Sequence, residues 1–124
     1  RNNKECNGKV GVLGFCFGGR YVHLSAARLD INGGASFHGA FIGKHLDETS
    51  NIKCPVSHHF GGDDPVVPME EVNAIREAYG KLSNSDIGVY SGVGHNFGMP
   101  YKQGYDANAA RVSRAAALKV FRSM

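Results

Sequence analysis

The stretch Val10-Gly11-Val12-Leu13-Gly14-Phe15-Cys16-Phe17-Gly18-Gly19-Arg20 passes from an apolar strand through a sharp turn into a helix. Its centre has the form G-x-C-x-G-G, and no other part of the sequence restricts the chain as much. A residue at the tip of such a strand-to-helix turn takes a strained backbone conformation, so its neighbours must be small. Gly14 and Gly18, two residues either side of Cys16, are where the crowding is expected. The turn lifts the Cys16 sulfur above the edge of a sheet. It also sets the sulfur at a helix N-terminus, where the dipole favours a thiolate. Cys16 is therefore a candidate nucleophile, whereas a cysteine without such a turn is by default a small core residue. Cys6 and Cys54 have no such context and are expected to be inert.

Strands and helices alternate along the chain. Lys9–Phe15 reads as a buried strand and Phe17–Arg28 as a helix whose Ser25, Ala26 and Ala27 allow close packing. Gly33-Gly34 breaks that helix, and Ala35–His38 starts a second strand. His38–Lys53 is polar and loop-like, with a short turn around His45–Glu48. Pro55–Phe60 reads as a third strand, and Gly61 to Pro65 as a loop by its turn chemistry. Met69–Leu82 carries Val72, Ile75, Tyr79 and Leu82 at helical spacing. Ile87–Tyr90 is a fourth strand, Gly92–Gln103 a glycine-rich loop, and Asp106–Phe121 a last helix with Ala109, Val112, Ala116 and Val120 on one face. The order predicts an α/β fold of about four parallel strands with flanking helices. Ligands of such sheets bind at the carboxyl edge of the strands.

Three chemistry-bearing types fall on that edge. Cys16 follows the first strand, Asp63 and Asp64 the third, and His95 the fourth. The order nucleophile, acid, histidine is that of a nucleophile-elbow hydrolase. A thiol must lose its proton to attack a carbonyl, and an imidazole within reach takes that proton and later gives it to the leaving group. A carboxylate fixes the imidazole tautomer and stabilises its cation. The backbone N–H of Phe17 is one expected oxyanion donor. His38, Asn96 and Tyr101 are candidate pocket residues.

At these residues the chain resembles the dienelactone hydrolase (carboxymethylenebutenolidase) family of α/β-hydrolases, from about Lys9 to the C-terminus. The resemblance rests on four blocks: Gly14-Phe15-Cys16-Phe17-Gly18-Gly19, Ser36-Phe37-His38-Gly39, His59 to Pro68, and Tyr90 to Phe97. It implies a catalytic triad of Cys16, Asp64 and His95, with Asp63 as the fallback acid. It also implies hydrolysis of a small-molecule ester or lactone without a cofactor. The family's enzymes are roughly twice as long, so residues 1–124 are expected to be the C-terminal part of a single α/β-hydrolase domain, without the N-terminal half of the sheet. The dienelactone-specific members carry an arginine shortly after the histidine to hold the substrate carboxylate. Met99 occupies that position here, which widens the expected substrates to esters and lactones generally.

Composition removes other classes. A hydrophobic fraction of 42% and a charged fraction of 20% fit a globular protein. No apolar run approaches the ~20 residues of a membrane span. The net charge of +3 comes from scattered basic residues, which argues against nucleic-acid binding. Three cysteines without regular spacing form no disulfide framework and fit a reducing, cytoplasmic compartment. No C-x-x-C pair and no His pair at i, i+4 is present, so no metal site is expected. The glycines match neither G-x-G-x-x-G nor the Walker pattern, which leaves nucleotide binding weak. His58 and His59 are expected in packing positions, and His23 and His45 in solvent. The alternative reading is a catalytically incomplete fragment, non-enzymatic or acting as a redox-sensitive thiol module. The sequence sets no oligomeric state.

Overall fold

Alternating apolar residues and tight turns lay four strands side by side. The computed structural model describes residues 1–124. β1 (Gly11–Phe15), β2 (Gly33–Phe37), β3 (Val56–Gly61) and β4 (Ser85–Tyr90) form one parallel sheet in the order β1-β2-β3-β4. Three helices join or follow the strands: α1 (Gly18–Arg28), α2 (Met69–Tyr79) and α3 (Ala107–Arg122). The registers pair Phe15 with Phe37, Phe37 with His59, and Gly61 with Tyr90, so the strand ends line up along one carboxyl edge.

The period of two in the strands divides the core between the two faces of the sheet. On one face Val56 and Phe60 of β3 pack with Val22 and Ala26 of α1 and with Val72, Ile75 and Tyr79 of α2. On the other, Ala35 and Phe37 of β2 pack against Ala117 of α3. The α3 helix starts at Asp106, whose carboxylate caps the Ala109 N–H at 2.8 Å, and ends with Lys119 and Arg122 where cations suit the dipole.

Several expectations are corrected. The helix already ends at Arg28, and Gly33 and Gly34 begin β2, where a side chain at Gly34 would sit 2.9 Å from Val22 Cγ1. The segment 38–53 is not a loop with one short turn; Ile42–Asn51 is a 3-10 segment kinked at His45 (φ −127°, ψ 21°). α2 stops at Tyr79 and β4 begins two residues earlier than expected. The buried face of α3 is Ala109, Ala110, Ser113 and Ala117, while Val112 is exposed. β1 was expected to be buried, yet Leu13 is 51% exposed. It is an edge strand, and α3 lies across β2 and β3 instead.

His23 corrects the most instructive expectation. It is fully buried, not solvated. Its Nε2–H donates to the His45 carbonyl at 2.8 Å, and its Nδ1 lies 2.6 Å from the Tyr79 hydroxyl, which donates to it. The kink at His45 frees that carbonyl from the helical pattern. His45 itself is half-buried, its Nδ1 3.8 Å from Glu48.

The close packing at the turn falls at Gly14 and Gly19 rather than at Gly18, which faces open space. A Cβ at Gly14 would strike the Gly18 carbonyl, and one at Gly19 would strike Gly39 Cα and lie 2.5 Å from Ser36 Oγ. We predict that Gly19→Ala lowers the unfolding free energy by about 1–3 kcal/mol, read from urea midpoints, since overpacking against backbone has no flexible group to yield. An unchanged midpoint would contradict this packing.

Burial also governs how stability varies with pH. Desolvation holds His58 down to about 3 and His59 to about 4, and lowers His23 as well. In the unfolded chain these groups protonate near 6.5, so below that pH the unfolded state binds more protons. Stability is therefore full above pH 6.5 and is lost as pH falls from 6.5 towards 4. Each histidine contributes a slope of up to about 1.4 kcal/mol per pH unit. Urea titrations at pH 7.0, 5.5 and 4.5 check the decline, and equal midpoints would refute it.

Candidate active site

Cys16 stands one residue beyond β1 with φ +55°, a left-handed conformation that L residues rarely adopt. Three backbone hydrogen bonds hold it there. Its N–H donates to the Phe37 carbonyl at 2.9 Å, and its carbonyl accepts from Gly19 at 3.0 Å and Ala40 at 2.8 Å. The turn is thus clamped to the first turn of α1 and to the segment leaving β2. The N–H of Phe17 has no acceptor and begins the α1 N-terminus, which no side chain caps.

His95 comes from the loop after β4, a segment pinned on both sides. Val93 and Phe97 are buried and pack with Ala109 of α3. The Val93 carbonyl accepts the Asp63 N–H at 2.9 Å, and the Phe97 carbonyl accepts the Asp106 N–H at 3.1 Å. Gly104 turns at φ +96°, where a Cβ would lie 2.5 Å from the His95 carbonyl. Buried anchors on both sides therefore aim the imidazole between them.

The two aspartates differ sharply. Asp63 is exposed. Asp64 has a fully buried side chain whose Oδ1 accepts from the backbone of Val66 at 2.8 Å and Val67 at 3.3 Å. Its Oδ2 accepts the His95 Nδ1–H at 2.6 Å. On the far side of the same ring, His95 Nε2 lies 2.8 Å from Cys16 Sγ. Three residues from three different loops thus form one continuous hydrogen-bonded chain. A carboxylate on Nδ1 leaves Nε2 as the nitrogen that can take the thiol proton.

His38 is also at this edge. Its side chain is fully buried, its φ is +40°, and its ring centroid is 5.2 Å from that of His95. Burial, aided by the neighbouring His95, holds its pKa down to about 4, so it is neutral at neutral pH. Asn96 is half-buried with φ +63°. Tyr101 is fully exposed, because the hydrogen-bonded turns from Asn96 to Met99 and from Met99 to Lys102 carry it outward. An aromatic rim that the sequence did not signal lies beside the turn. Phe17, Tyr21 and Phe41 surround the Arg20 guanidinium, which sits 4.5, 5.0 and 5.9 Å from their ring centres. Phe41 has φ +64°, and no local residue pattern marks that conformation in advance. No group of three or more His, Cys, Asp or Glu side chains is placed to hold a metal ion.

The sequence relatives point to one family. The sequence profile of the dienelactone hydrolase family matches residues 1–124. A carboxymethylenebutenolidase of Pseudomonas putida is 32% identical over 113 residues, which is 91% of this chain and 48% of that protein. The crystal structure of a dienelactone hydrolase-like promiscuous phosphotriesterase from metagenomic libraries superposes with a TM-score of 0.81 at 26% identity, over 93% of this chain and 52% of that one. An esterase of Pyrococcus furiosus shares the fold with a TM-score of 0.72 at 17% identity, over 92% of this chain and 53% of that one. The chain spans about half the length of the relatives it matches.

The geometry generates a prediction that needs no substrate. Iodoacetamide should alkylate Cys16 at pH 7 at least about ten-fold more slowly in His95→Gln than in the unchanged chain, because the nearest proton acceptor is gone. Exposed Cys6 serves as the internal reference. Peptide-resolved mass spectrometry separates the two thiols, and equal Cys16 rates would break the proposed coupling.

Proposed function

The chain belongs to the dienelactone hydrolase family, and on that premise we propose that the protein hydrolyses an ester or lactone bond of a small molecule through an acyl-enzyme on Cys16. The observation that carries the reading is the unbroken Cys16–His95–Asp64 hydrogen-bond chain at 2.8 and 2.6 Å.

His95 Nε2 takes the Cys16 proton, and the sulfur adds to the substrate carbonyl carbon. The Phe17 N–H, unpaired in the structure, receives the developing oxyanion. Collapse of the tetrahedral intermediate breaks the bond to the alkoxy oxygen, which leaves with the proton from His95. A water then gives a proton to His95 and attacks the thioester, returning the thiol and releasing the acid. Throughout, Asp64 holds Nδ1–H and offsets the charge on the ring. Met99, in place of the family arginine, leaves the carboxylate of dienelactone without that partner, so we assign the wider class of esters and lactones.

We further propose that these residues are the C-terminal part of a single α/β-hydrolase domain. β1 presents an unpaired outer edge, and beside it Leu13, Phe15, Phe37, Leu118 and Phe121 line an apolar groove. A sheet continued past β1 would cover both and bring the second oxyanion donor.

Hydrolysis of 4-nitrophenyl acetate, followed at 400 nm on this chain and on a protein of full family length that contains it, tests the proposal. We expect turnover in the longer protein, none after Cys16→Ala, and a loss on the order of 10⁴ in kcat after Asp64→Asn. Asp63→Asn should change the rate only a few-fold. Turnover that survives Cys16→Ala would exclude the acyl-enzyme route, and a larger loss at Asp63 would exchange the two acids.

A further inference from the structure

His38 is a buried group without an evident partner. The ring is 0% exposed, and neither Nδ1 nor Nε2 has a hydrogen-bonding partner. A neutral imidazole still carries one N–H, and burying it unpaired costs desolvation that a phenyl ring of similar size would avoid. The backbone is strained at the same residue, with φ +40°, while its own N–H donates to the His59 carbonyl at 2.7 Å. Strain and an unpaired polar ring at one position, beside the reacting imidazole, point to a task other than filling space.

The surroundings of the ring define that task. From β1 it meets Phe15, with centroids 5.9 Å apart. From the loop after β4 it meets Phe97 and His95, each 5.2 Å away and nearly perpendicular, at 78° and 67°. Gly98 lies over Nε2, with room for no more than van der Waals contact by an added methyl. The charged or titratable groups felt at His38 are His95 and, beyond it, Asp64. No carboxylate is hydrogen-bonded to the ring.

We propose that His38 is a positioning residue for the Cys16–His95 pair: its neutral ring, edge to face with His95, fixes the imidazole plane and favours the imidazolium formed when Cys16 gives up its proton. This rests on the proposed pairing of thiol and imidazole. In that transfer the S–H bond breaks and an Nε2–H bond forms, leaving thiolate and imidazolium with no change in net charge. An unprotonated imidazole nitrogen, which a phenyl ring lacks, attracts such a cation through its lone pair. A protonated His38 would repel it, and the burial that keeps this ring neutral near pH 7 prevents that. Packed in turn on Phe97, the ring also keeps His95 in line with Asp64 and Cys16.

The test is the pH dependence of Cys16 alkylation by iodoacetamide, from pH 5 to 9.5, on the 124-residue chain. The thiolate displaces iodide and forms a carbon–sulfur bond, so the rate follows the fraction of thiolate. His38→Phe keeps a ring and removes both nitrogens. We expect the acid limb of its profile to move to higher pH by about one unit, a ten-fold slower reaction near pH 6. The plateau at pH 9.5 should be kept, and far-UV circular dichroism across the range must match the unchanged chain, because an unfolded thiol would give the same shift. Superimposable profiles, or an equal fall at every pH, would reduce His38 to packing and overturn the proposal. Should His38→Phe not fold, nitrogen-15 histidine spectra of the unchanged chain decide the matter. A His38 that stays neutral from pH 5 to 9 but shifts as His95 ionises supports the proposal, and one that titrates independently near 6.5 overturns it. Neither readout requires turnover. An inactive enzyme with a shifted profile would leave this inference standing while the hydrolase reading fell, and active enzyme with superimposable profiles would do the reverse.

Discussion

Cys16 is held in a left-handed backbone conformation by three main-chain hydrogen bonds, and the rest of the site is arranged around that constraint. Its carbonyl faces back into α1 and into the segment leaving β2, so the sulfur has only one way out, over the carboxyl edge. Such a turn is possible only where Gly14 and Gly19 let backbone pass backbone at distances no Cβ would tolerate. The strain is local, and the packed face of the sheet, with Val22 and Ala26 beneath α1, holds it in place.

The imidazole reaches the sulfur because the sheet is parallel and in register. Phe15, Phe37, His59 and Gly88 lie in one row across the sheet, so the segments that follow the strands begin close together. The loops then need only short, well-anchored excursions. For His95 the anchors are Val93 and Phe97, tied to the Asp63 N–H and the Asp106 N–H respectively. Asp64 is held by two backbone N–H groups of its own turn, which fix the carboxylate before it meets the ring. Electrostatic preorganisation of this kind would spare the proposed proton transfer a reorganisation cost.

Histidines divide into two populations by what lies around them. His23, His58 and His59 are structural: His23 bonds to Tyr79 and the His45 carbonyl, His59 to the Tyr90 hydroxyl at 3.0 Å, and His58 stacks on Phe60 and meets Tyr79 edge-on. All are kept neutral by desolvation. His38 has the same burial but packs against His95. The same physical effect therefore serves the core in one place and the site in another, and only the neighbour differs.

The sequence by itself determined the order of strands and helices, the carboxyl-edge location of Cys16, Asp63, Asp64 and His95, and the nucleophile turn. These follow from local rules: period two or 3.6 in the apolar residues, glycines at a turn, and right-handed parallel connections. It could not choose between Asp63 and Asp64 from the residues alone, because adjacent positions in a turn point in different directions and only the fold says which one is buried. It placed His23 in solvent because nothing near it in sequence reveals that the kink at His45 offers a carbonyl 22 residues away. It did not reveal that Tyr101 is fully exposed, because proximity along the chain to His95 does not tell which way a turn carries a side chain. The tertiary structure decided what depends on long-range contact: which aspartate meets His95, the burial of His38 against His95, and the open edge of β1. Periodicity is written in neighbours along the chain, whereas burial and alignment depend on residues brought together from distant segments.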